Sequence, residues 1–365
     1  MRILQVLTDT DRRGAQIFAV DLGGALTRLG HEVRSVALAP GHRPRGLDIE
    51  ILGARPRGPA TLRSLRTAMG KVDITIAHGS STLLACGLAG VGPGRPFVYR
   101  QISDSKYWAP TWYRRLRVAT YLRFPRRIVS LSESAAETLS SYLWVPRGNV
   151  SIVANGVPRA QFGPATEATK SLARTALGLP DAFIVLYIGA LVPEKGVQIA
   201  LQAIVPLSSV HLAIAGDGPE REYLMKLSSD LAPGRVHFLG DLSDPVVAYN
   251  ASDVVVLLSL GGDSMPATLI EAGFCGLPTI TTPIGSIPEI VIDGVTGMIA
   301  DPGDVGGTTE AFDHLQRRPG TRARMGSAAE KHCLKQFEIE IIASEWKESL
   351  DSAVGSSTRV AGPRR

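Results

Sequence analysis

Two carboxylates eight positions apart form the most informative chemical pattern in the sequence. Asp263 follows a Gly-rich loop after the apolar run Val254–Leu258, and Glu271 lies further along the same segment. The sequence predicts a helix that begins near Ser264 and ends at Gly276, and the free N–H groups at its start would favour an anion. Eight helical residues span about 12 Å. One carboxylate could then meet the hydroxyls of a sugar and the other a ribose, with a diphosphate between them.

The same pattern also fits an ordinary strand, loop and helix whose acidic residues face solvent, so the surrounding elements are needed to interpret it. Short apolar runs alternate with helical patterns along the chain, which predicts parallel sheets covered by helices on both faces. The runs form two successive series of six, from Ile3–Leu7 to Gly297–Ile299. The sequence therefore predicts an α/β protein with two doubly wound, Rossmann-like domains.

Local composition indicates where these domains end. A segment rich in Gly, Pro and Thr at residues 161–169 separates the two series, and we expect domains at residues 1–163 and 164–339. An amphipathic pattern over residues 340–354 predicts a last helix that packs back on the first domain. Residues 355–365 combine Ser, Gly, Pro and paired Arg, and we expect them to form a disordered tail.

The overall composition excludes several classes of protein. Of the 365 residues, 44% are hydrophobic and 20% are charged, as in globular proteins. No apolar run reaches the roughly 18–20 residues of a membrane span, and the N-terminal run is too short for a signal peptide. Cys86, Cys275 and Cys333 lack the spacing of metal ligands and cannot all pair with one another. We therefore expect a reducing, cytoplasmic location.

Charge is distributed unevenly, since residues 1–165 carry +13 and residues 166–365 carry −8 within a net charge of +5. This asymmetry indicates that the two halves face different partners. In Tyr113–Arg127, arginines alternate with Leu, Val and aromatic residues, which predicts a basic amphipathic segment. The segment could lie on an anionic membrane surface at the inner face of the cell membrane, contact an anionic acceptor, or form a solvated helix face. Its arginines are Arg114, Arg115, Arg117, Arg123, Arg126 and Arg127.

Further segments make the sequence resemble the family-4 retaining glycosyltransferases of the GT-B fold. These enzymes carry a Glu-x7-Glu motif before a helix end of the form Ala-x-x-Cys-Gly-x-Pro, matched here by Asp263, Glu271 and Ala272–Pro278 (AGFCGLP). The resemblance covers most of residues 1–350 and is dense in the second half. The other matching segments are Gly189–Gly196 (GALVPEKG), Ile214–Pro219 (IAGDGP), Gly285–Val291 (GSIPEIV), Asp293–Gly297 (DGVTG), Gly14–Gln16 (GAQ), Gly30–Val33 (GHEV), Ser130–Glu133 (SLSE) and Asn155–Val157 (NGV).

The resemblance implies roles in the second half, where the family binds a nucleotide-sugar donor. Glu271 would bind the ribose hydroxyls, and Asp263 would contact the transferred sugar with a side chain one methylene shorter than the family's Glu. Lys195 would neutralise the diphosphate as the leaving group gains charge. Many relatives have an Arg at the position of Ala190. The remaining implied donor contacts are Gly14, Gly189, Gly216, Thr268 and Leu269.

The first half is the acceptor side in this family, and its candidate residues follow predicted strands. His78 ends one strand, which also fits a structural histidine, and the resemblance makes it a candidate catalytic residue beside Lys195 and Asp263. Arg100 and Gln101 end the next strand, where they could contact a phosphate or an acidic acceptor, although a salt bridge at a cleft edge is an equal alternative.

The function implied is transfer of a sugar from a nucleotide-diphosphate donor to a glycan, lipid-linked or small-molecule acceptor, with retention. Binding would occur in a cleft between the domains, at the carboxyl ends of both sheets. No Asp-x-Asp motif follows a strand, so we expect no metal and no other cofactor, and no nucleic-acid motif is present. A sugar-nucleotide epimerase or phosphorylase of the same fold, or a non-catalytic sugar-nucleotide or polyanion-binding protein, remains an alternative.

Overall fold

The structure is a computed structural model that describes residues 1–42, 46–91, 95–102, 106 and 109–355. The chain divides into two compact units. Unit 1 contains Met1–Pro158 together with the segment from Ile339 onward, and unit 2 contains Arg159–Glu338. The chain thus passes from unit 1 to unit 2 after Pro158, five residues before the domain boundary predicted at residue 163. The predicted tail beyond Gly355 lies outside the described residues.

Unit 1 is built on a seven-stranded parallel sheet with the order β3-β2-β1-β4-β5-β6-β7. Its strands are β1 (Arg2–Leu7), β2 (Glu32–Ala37), β3 (Glu50–Ile51), β4 (Ile74–His78), β5 (Phe97–Arg100), β6 (Arg127–Ser130) and β7 (Val150–Ile152). Its helices are α1 (Gly14–Arg28), α2 (Pro59–Met69), α3 (Ser80–Ala89), α4 (Trp112–Tyr121), α5 (Glu133–Leu143) and α14 (Ile339–Gly355).

Both faces of this sheet are covered, which explains why its central strands read as continuous apolar runs. One face packs on α2, α3 and α5 through a cluster that includes Leu65 and Leu139. The other face packs on α1 and α14 through Phe18, Trp346 and Leu350. The last helix of the chain therefore completes the core of the first unit, where Trp346 is fully buried.

Unit 2 repeats the architecture with a six-stranded parallel sheet of order β10-β9-β8-β11-β12-β13. Its strands are β8 (Phe183–Ile188), β9 (Val210–Ala215), β10 (Val236–Gly240), β11 (Val254–Leu257), β12 (Thr279–Thr281) and β13 (Gly297–Ile299). Its helices are α6 (Glu167–Leu177), α7 (Val197–Ala203), α8 (Arg221–Leu231), α9 (Val246–Ala251), α10 (Ala267–Phe274), α11 (Ile287–Ile290), α12 (Val305–Arg317) and α13 (Pro319–Gln336).

Asp253 ties the helix α6 to the sheet of unit 2. This buried carboxylate contacts Lys170 and Arg174 of α6 and accepts a hydrogen bond from the N–H of Ile184 in β8. Because two cations and a backbone donor compensate the charge, its burial costs far less than that of an isolated carboxylate. The site described below thus sits on a well-anchored sheet.

The two parallel sheets confirm the predicted fold class, whereas the predicted start of the motif helix is wrong. The helix α10 begins at Ala267, with Pro266 as its N-cap, and not near Ser264. Two devices set the loop before it. The Ser264 carbonyl accepts from the N–H of Ser286, and Gly285 packs against the Asp263 carbonyl so closely that an added Cβ would lie 2.3 Å from it. Asp263 therefore belongs to a tight loop, and the 12 Å helical estimate for its separation from Glu271 does not apply.

Candidate functional site

Each sheet has one point at which the strand order changes direction, and ligands of open parallel sheets bind outside the carboxyl ends of the strands there. This point lies between β8 and β11 in unit 2 and between β1 and β4 in unit 1. Most of the candidate residues of the sequence follow these four strands. The fold therefore places two groups of polar side chains at the ends where such sheets bind ligands.

Glycines bring the backbones of neighbouring strand ends together in unit 2. Gly189 follows β8 and Gly216 follows β9, and a Cβ added to Gly216 would lie 1.9 Å from the Gly189 carbonyl oxygen. Gly216 also has φ +128°, in the region that favours glycine. No other residue fits at Gly216 without moving the loop that leads to Lys195.

Lys195 and Asp263 form an ion pair across the ends of β8 and β11. Lys195 ends a short 3₁₀-helix, Pro193–Lys195, and its ammonium group contacts the Asp263 carboxylate. The other oxygen of Asp263 accepts a hydrogen bond from the hydroxyl of Ser259, which is fully buried. The side chains of Lys195 and Asp263 remain 23% and 12% exposed. The buried Ser259 thus orients the Asp263 carboxylate, and both side chains of the ion pair still reach solvent.

Tyr187 supports the loop that carries Ala190. Its hydroxyl donates a 2.7 Å hydrogen bond to the Ala190 carbonyl oxygen. Burial, with a further contribution from the negative charge of Asp263, raises the pKa of Tyr187, so the phenol remains a hydrogen-bond donor. The Tyr187 hydroxyl thus holds the backbone of this loop in place. The Ala190 side chain adds no charge there.

The helix α10 carries the other motif residues, and a tyrosine reaches them from a neighbouring helix. Thr268 and Glu271 are half-buried, whereas Leu269 is buried. The hydroxyl of Tyr249 in α9 donates a 2.6 Å hydrogen bond to Oε2 of Glu271. Pro266, the N-cap of this helix, makes no side-chain hydrogen bond to its first N–H groups.

In unit 1 a cavity of about 250 Å³ opens at the switch point. Its walls come from the loop after β1, the first turns of α1 and α3, and the end of β4, and they include Arg13, Gln16, His78 and Ser80. Gly14 begins α1 beside this cavity. Asp9 accepts hydrogen bonds from Arg13 and Gln16, which fixes both side chains at the rim.

His78 and Arg100 belong to one buried polar network in unit 1. Since Arg100 can only donate, Nδ1 of His78 accepts from its guanidinium at 3.4 Å, and the protonated Nε2 then donates to Oε1 of Gln5 at 2.9 Å. Burial, together with the Arg100 charge, holds the pKa of His78 well below its usual range. The imidazole is therefore neutral near pH 7, and protein groups engage both of its nitrogens.

Arg100 is fully buried and is stabilised without a carboxylate contact among the described residues. It donates to Oδ1 of Asn155, and its guanidinium lies 3.9 Å from the centroid of the Phe18 ring, a cation–π contact. Burial lowers the pKa of Arg100. Gln101, the next residue, is also buried. Arg100 and Gln101 thus lie beneath the surface of unit 1, and Arg100 is not part of the cavity wall.

Sequence reasoning missed the partners that position these groups. Gln5 interrupts an otherwise apolar run, and that interruption is a signal that a buried hydrogen bond is needed. Asn155 belongs to the segment Asn155–Val157, which by itself assigns it no role. Ser259 and Tyr249 gave no local signal, because each acts on a residue of another segment.

Two features are absent from residues 1–42, 46–91, 95–102, 106 and 109–355. No group of three or more His, Cys, Asp or Glu side chains in those ranges could hold a metal ion. Every helix there is too short or too polar to cross a lipid bilayer.

Comparison with known families accounts for most of the chain. The family described as Glycosyl transferases group 1 matches residues 170–332, and Glycosyltransferase Family 4 matches residues 12–161. The chain belongs to the family-4-like glycosyltransferases. The resemblance in the sequence is thereby confirmed for both halves.

Curated relatives in this family cover part of the chain. The D-inositol 3-phosphate glycosyltransferase of Mycobacterium tuberculosis is 31% identical over 249 residues, which are 65% of this chain and 49% of the relative. The protein of the same name from Mycobacterium bovis matches over the same extent. The alignment thus spans about half the length of these relatives.

Solved structures of the same fold match nearly the whole chain. HepE of Anabaena, solved in complex with UDP-glucose, has a TM-score of 0.85 at 21% identity and covers 96% of this chain and 100% of its own. The sucrose-phosphate synthase of Thermosynechococcus elongatus has a TM-score of 0.82 at 20% identity, covering 98% and 100%. WaaG, a glycosyltransferase involved in lipopolysaccharide biosynthesis, has a TM-score of 0.74 at 16% identity, covering 97% and 100%. These similarities establish the GT-B architecture.

Proposed function

We propose that this protein is a glycosyltransferase that transfers a hexose from a nucleoside-diphosphate donor with retention of anomeric configuration. Unit 2 would bind the donor, and the cavity in unit 1 would receive part of a glycan, lipid-linked or small-molecule acceptor. Family membership supports the reaction class. The presence of UDP-glucose in the structure of HepE supports a nucleotide-sugar donor.

The observation that carries the proposal is the arrangement at the carboxyl ends of β8 and β11. Lys195 and Asp263 meet in the loops after these strands, and the helix α10 that follows Asp263 has no side-chain cap at its start and carries Glu271. A diphosphate needs positive charge and N–H donors, whereas sugar and ribose hydroxyls need carboxylate acceptors. Together these groups offer a partner for each part of a nucleotide sugar, which no one of them does alone.

The chemistry would rest on Lys195 and on the start of α10. As the bond to the donor phosphate breaks, negative charge grows on the leaving diphosphate, and a cation fixed beforehand stabilises that charge most effectively. In the free protein Asp263 holds Lys195 in place. The diphosphate would then replace Asp263 as the partner of the ammonium group, and Asp263 would turn to the sugar hydroxyls. This scheme uses no metal, so activity should persist in EDTA.

Replacement of Glu271 tests the donor site. Glu271→Gln keeps the shape of the side chain but removes the charged acceptor for ribose hydroxyls, and we expect a nucleoside diphosphate to bind at least tenfold more weakly. The measurement is titration calorimetry with UDP, GDP and ADP. Glu222→Gln changes an exposed carboxylate on α8 and is the matched control. Equal affinity of Glu271→Gln and the control would contradict the site assignment.

We further propose that unit 1 contacts an anionic membrane surface on the cytoplasmic side. The basic segment forms α4 and the turn after it, and no acidic residue occurs between Asp104 and Glu133. Trp112 is 75% exposed and Trp144 is 58% exposed, beside exposed Tyr113 and Leu116. Amphipathic surfaces of this kind insert aromatic rings at the interface while arginines meet lipid phosphates.

Not every arginine of the segment is available to lipid. Arg115 stacks on Tyr142, 3.9 Å from the ring centroid, and donates to the Tyr142 carbonyl oxygen. Arg127 donates to Ser151 and Ser352. These two arginines fix α4 and β6 in place. The exposed arginines of the segment are Arg114, Arg117, Arg123 and Arg126.

The membrane proposal is tested with a variant that replaces Arg114, Arg117 and Arg123 by Gln. At about 1 kcal/mol for each arginine, binding to vesicles rich in phosphatidylglycerol should weaken at least tenfold in a sedimentation assay. A variant with Arg55, Arg57 and Arg63 replaced by Gln loses the same charge from another exposed part of unit 1. If both variants lose binding equally, general charge and not this surface explains it.

A further inference from the structure

Tyr249 acts directly on a motif carboxylate, Glu271, from a neighbouring helix. Tyr249 is 1% exposed and lies on the six-residue helix α9. Its hydroxyl is 2.6 Å from Oε2 of Glu271 and 3.3 Å from the carbonyl oxygen of Thr268. The shorter contact joins a neutral donor to a charged acceptor, which is the stronger type of hydrogen bond.

The phenol stays protonated in this position. Burial and the neighbouring charge of Glu271 both raise the pKa of Tyr249. A hydroxyl has one proton to donate, and the geometry directs it to the carboxylate. Glu271 therefore meets a permanent donor on the protein side.

The ring of Tyr249 is itself held on the other side. Phe162 packs edge-on against it, with ring centroids 5.9 Å apart and planes at 77°. Tyr249 also belongs to the core cluster of unit 2, together with Ala272 and Cys275 of the motif segment. The hydroxyl thus lies on a ring that cannot easily turn away.

The helix that carries Glu271 is also fixed from behind. A Cβ added to Gly273 of α10 would lie 2.3 Å from Sγ of Cys333, and one added to Gly326 would lie 2.0 Å from the Gly276 carbonyl oxygen. Both close approaches join α10 or its end to α13. With its helix and its hydrogen-bond partner both fixed, the Glu271 carboxylate has a defined orientation before any ligand arrives.

We propose that Tyr249 is a positioning residue that orients the Glu271 carboxylate toward the ribose hydroxyls of the donor, and so increases the preference for ribonucleotides over nucleotides that lack those hydroxyls. The inference rests on the proposed function, because it takes Glu271 as the ribose-binding group. Tyr249 itself would not touch the ligand. Its contribution is preorganisation, which removes the cost of ordering the carboxylate on binding.

The test compares Tyr249→Phe with Tyr142→Phe. Tyr249→Phe keeps the ring and its packing on Phe162 and removes only the hydroxyl. Tyr142→Phe removes a half-buried hydroxyl that donates to the Ala109 carbonyl oxygen in unit 1, so it matches the chemical change away from Glu271. The readout is the ratio of dissociation constants for a 2′,3′-dideoxynucleoside diphosphate and its ribose form, measured with UDP, GDP and ADP.

In the wild-type protein, the dideoxy form should bind at least tenfold more weakly than the ribose form. In Tyr249→Phe this ratio should fall to about threefold or less, because only the ribose form loses affinity. Tyr142→Phe should keep the wild-type ratio. A Tyr249→Phe protein that folds and keeps the full ratio would overturn the inference.

A second pair of variants separates this inference from the function on which it rests. Glu271→Gln and the double variant with Tyr249→Phe should show equal ratios, since Tyr249 would act only through Glu271. If Glu271→Gln removes the preference but Tyr249→Phe does not, only the inference fails. If wild-type protein binds none of the three nucleotides, the proposed function fails and the inference with it.

Should Tyr249→Phe not fold, Phe162→Leu provides the alternative measurement. It keeps the hydroxyl but loosens the ring that carries it, and the ratio should fall by about twofold. An unchanged ratio in a folded Phe162→Leu protein would again overturn the inference.

Discussion

The two units hold polar groups at their strand ends by different kinds of contact. In unit 2, the charged pair of Lys195 and Asp263 lies in partly exposed loops, whereas Glu271 on α10 accepts from the buried Tyr249. In unit 1, Arg100 is fully buried and neutral groups surround it, among them His78 and Asn155. One cluster is open to exchange its partners with a ligand, whereas the other is closed.

Because of this difference, we expect substitutions in the two clusters to have different effects. Groups that exchange partners with a ligand should affect binding and turnover while leaving the folded state nearly unchanged. Groups in a closed network should mainly affect stability, because a buried polar atom that loses its partner cannot turn to water. The described tryptophans Trp112, Trp144 and Trp346 lie in unit 1, and the fourth, Trp108, falls within the same stretch of sequence. Tryptophan fluorescence therefore reports the unfolding of unit 1 separately.

The largest effect is expected from Lys195→Ala. Without the cation, the leaving diphosphate loses its main charge partner, and turnover should fall at least 100-fold. Because Lys195 and Asp263 are partly exposed, unfolding of unit 2 should change by less than about 1 kcal/mol. Steady-state sugar transfer and urea unfolding followed by circular dichroism provide the two measurements. Lys226→Ala, on the exposed face of α8, is the control. Comparable losses of turnover in both variants would remove the contrast between the two clusters.

A smaller effect, on stability, is expected from Asn155→Ala. The change removes an acceptor from the buried Arg100 guanidinium, and the free energy of unfolding of unit 1 should fall by about 2 kcal/mol. Tryptophan fluorescence in urea measures it. The exposed Asn149 gives the matched variant Asn149→Ala, which should change stability by less than about 0.5 kcal/mol. Wild-type stability in Asn155→Ala would mean that the network of unit 1 is as adaptable as that of unit 2.

The smallest effect concerns pH and Asp21 on α1. Burial raises the pKa of Asp21 to about 6, above the value of about 3.8 in the unfolded chain. Its favourable contribution is complete below pH 3.8 and is lost as pH rises through about 6, so the ionised carboxylate destabilises unit 1 at pH 7.5. Asp21→Asn should therefore stabilise the protein at pH 7.5 by about 1 kcal/mol, a figure reduced because Asp21 is half-exposed.

Fluorescence-monitored unfolding at pH 5 and pH 7.5 checks this last prediction. The gain from Asp21→Asn should shrink at pH 5, where the wild-type carboxyl is largely protonated. Asp48→Asn changes an exposed acid of the same unit and should show no such pH dependence. An Asp21→Asn gain that is equal at both pH values would argue against a raised pKa.

Particular elements show how far the sequence predicts the structure. All twelve predicted strands are present, and the central ones are apolar along their length because both of their faces are buried. The two-residue strand β3 was missed, since an exposed edge of that length has no pattern. The start of α10 was misplaced by three residues, because the tight loop around Asp263 is held by Gly285 and Ser286, which follow the helix.

The sequence by itself determined the α/β architecture and the family, and it predicts roles for the carboxylates and lysine of unit 2, because all of these depend on periodicity and on motifs that are local in the chain. Only the tertiary structure decided which groups contact the candidate residues of each unit. Gln5, His78, Arg100 and Asn155 come from four separate segments, and Tyr249 reaches Glu271 from another helix. Parallel strands bring their carboxyl ends to one edge of a sheet, so residues distant in sequence meet there without leaving a local signal.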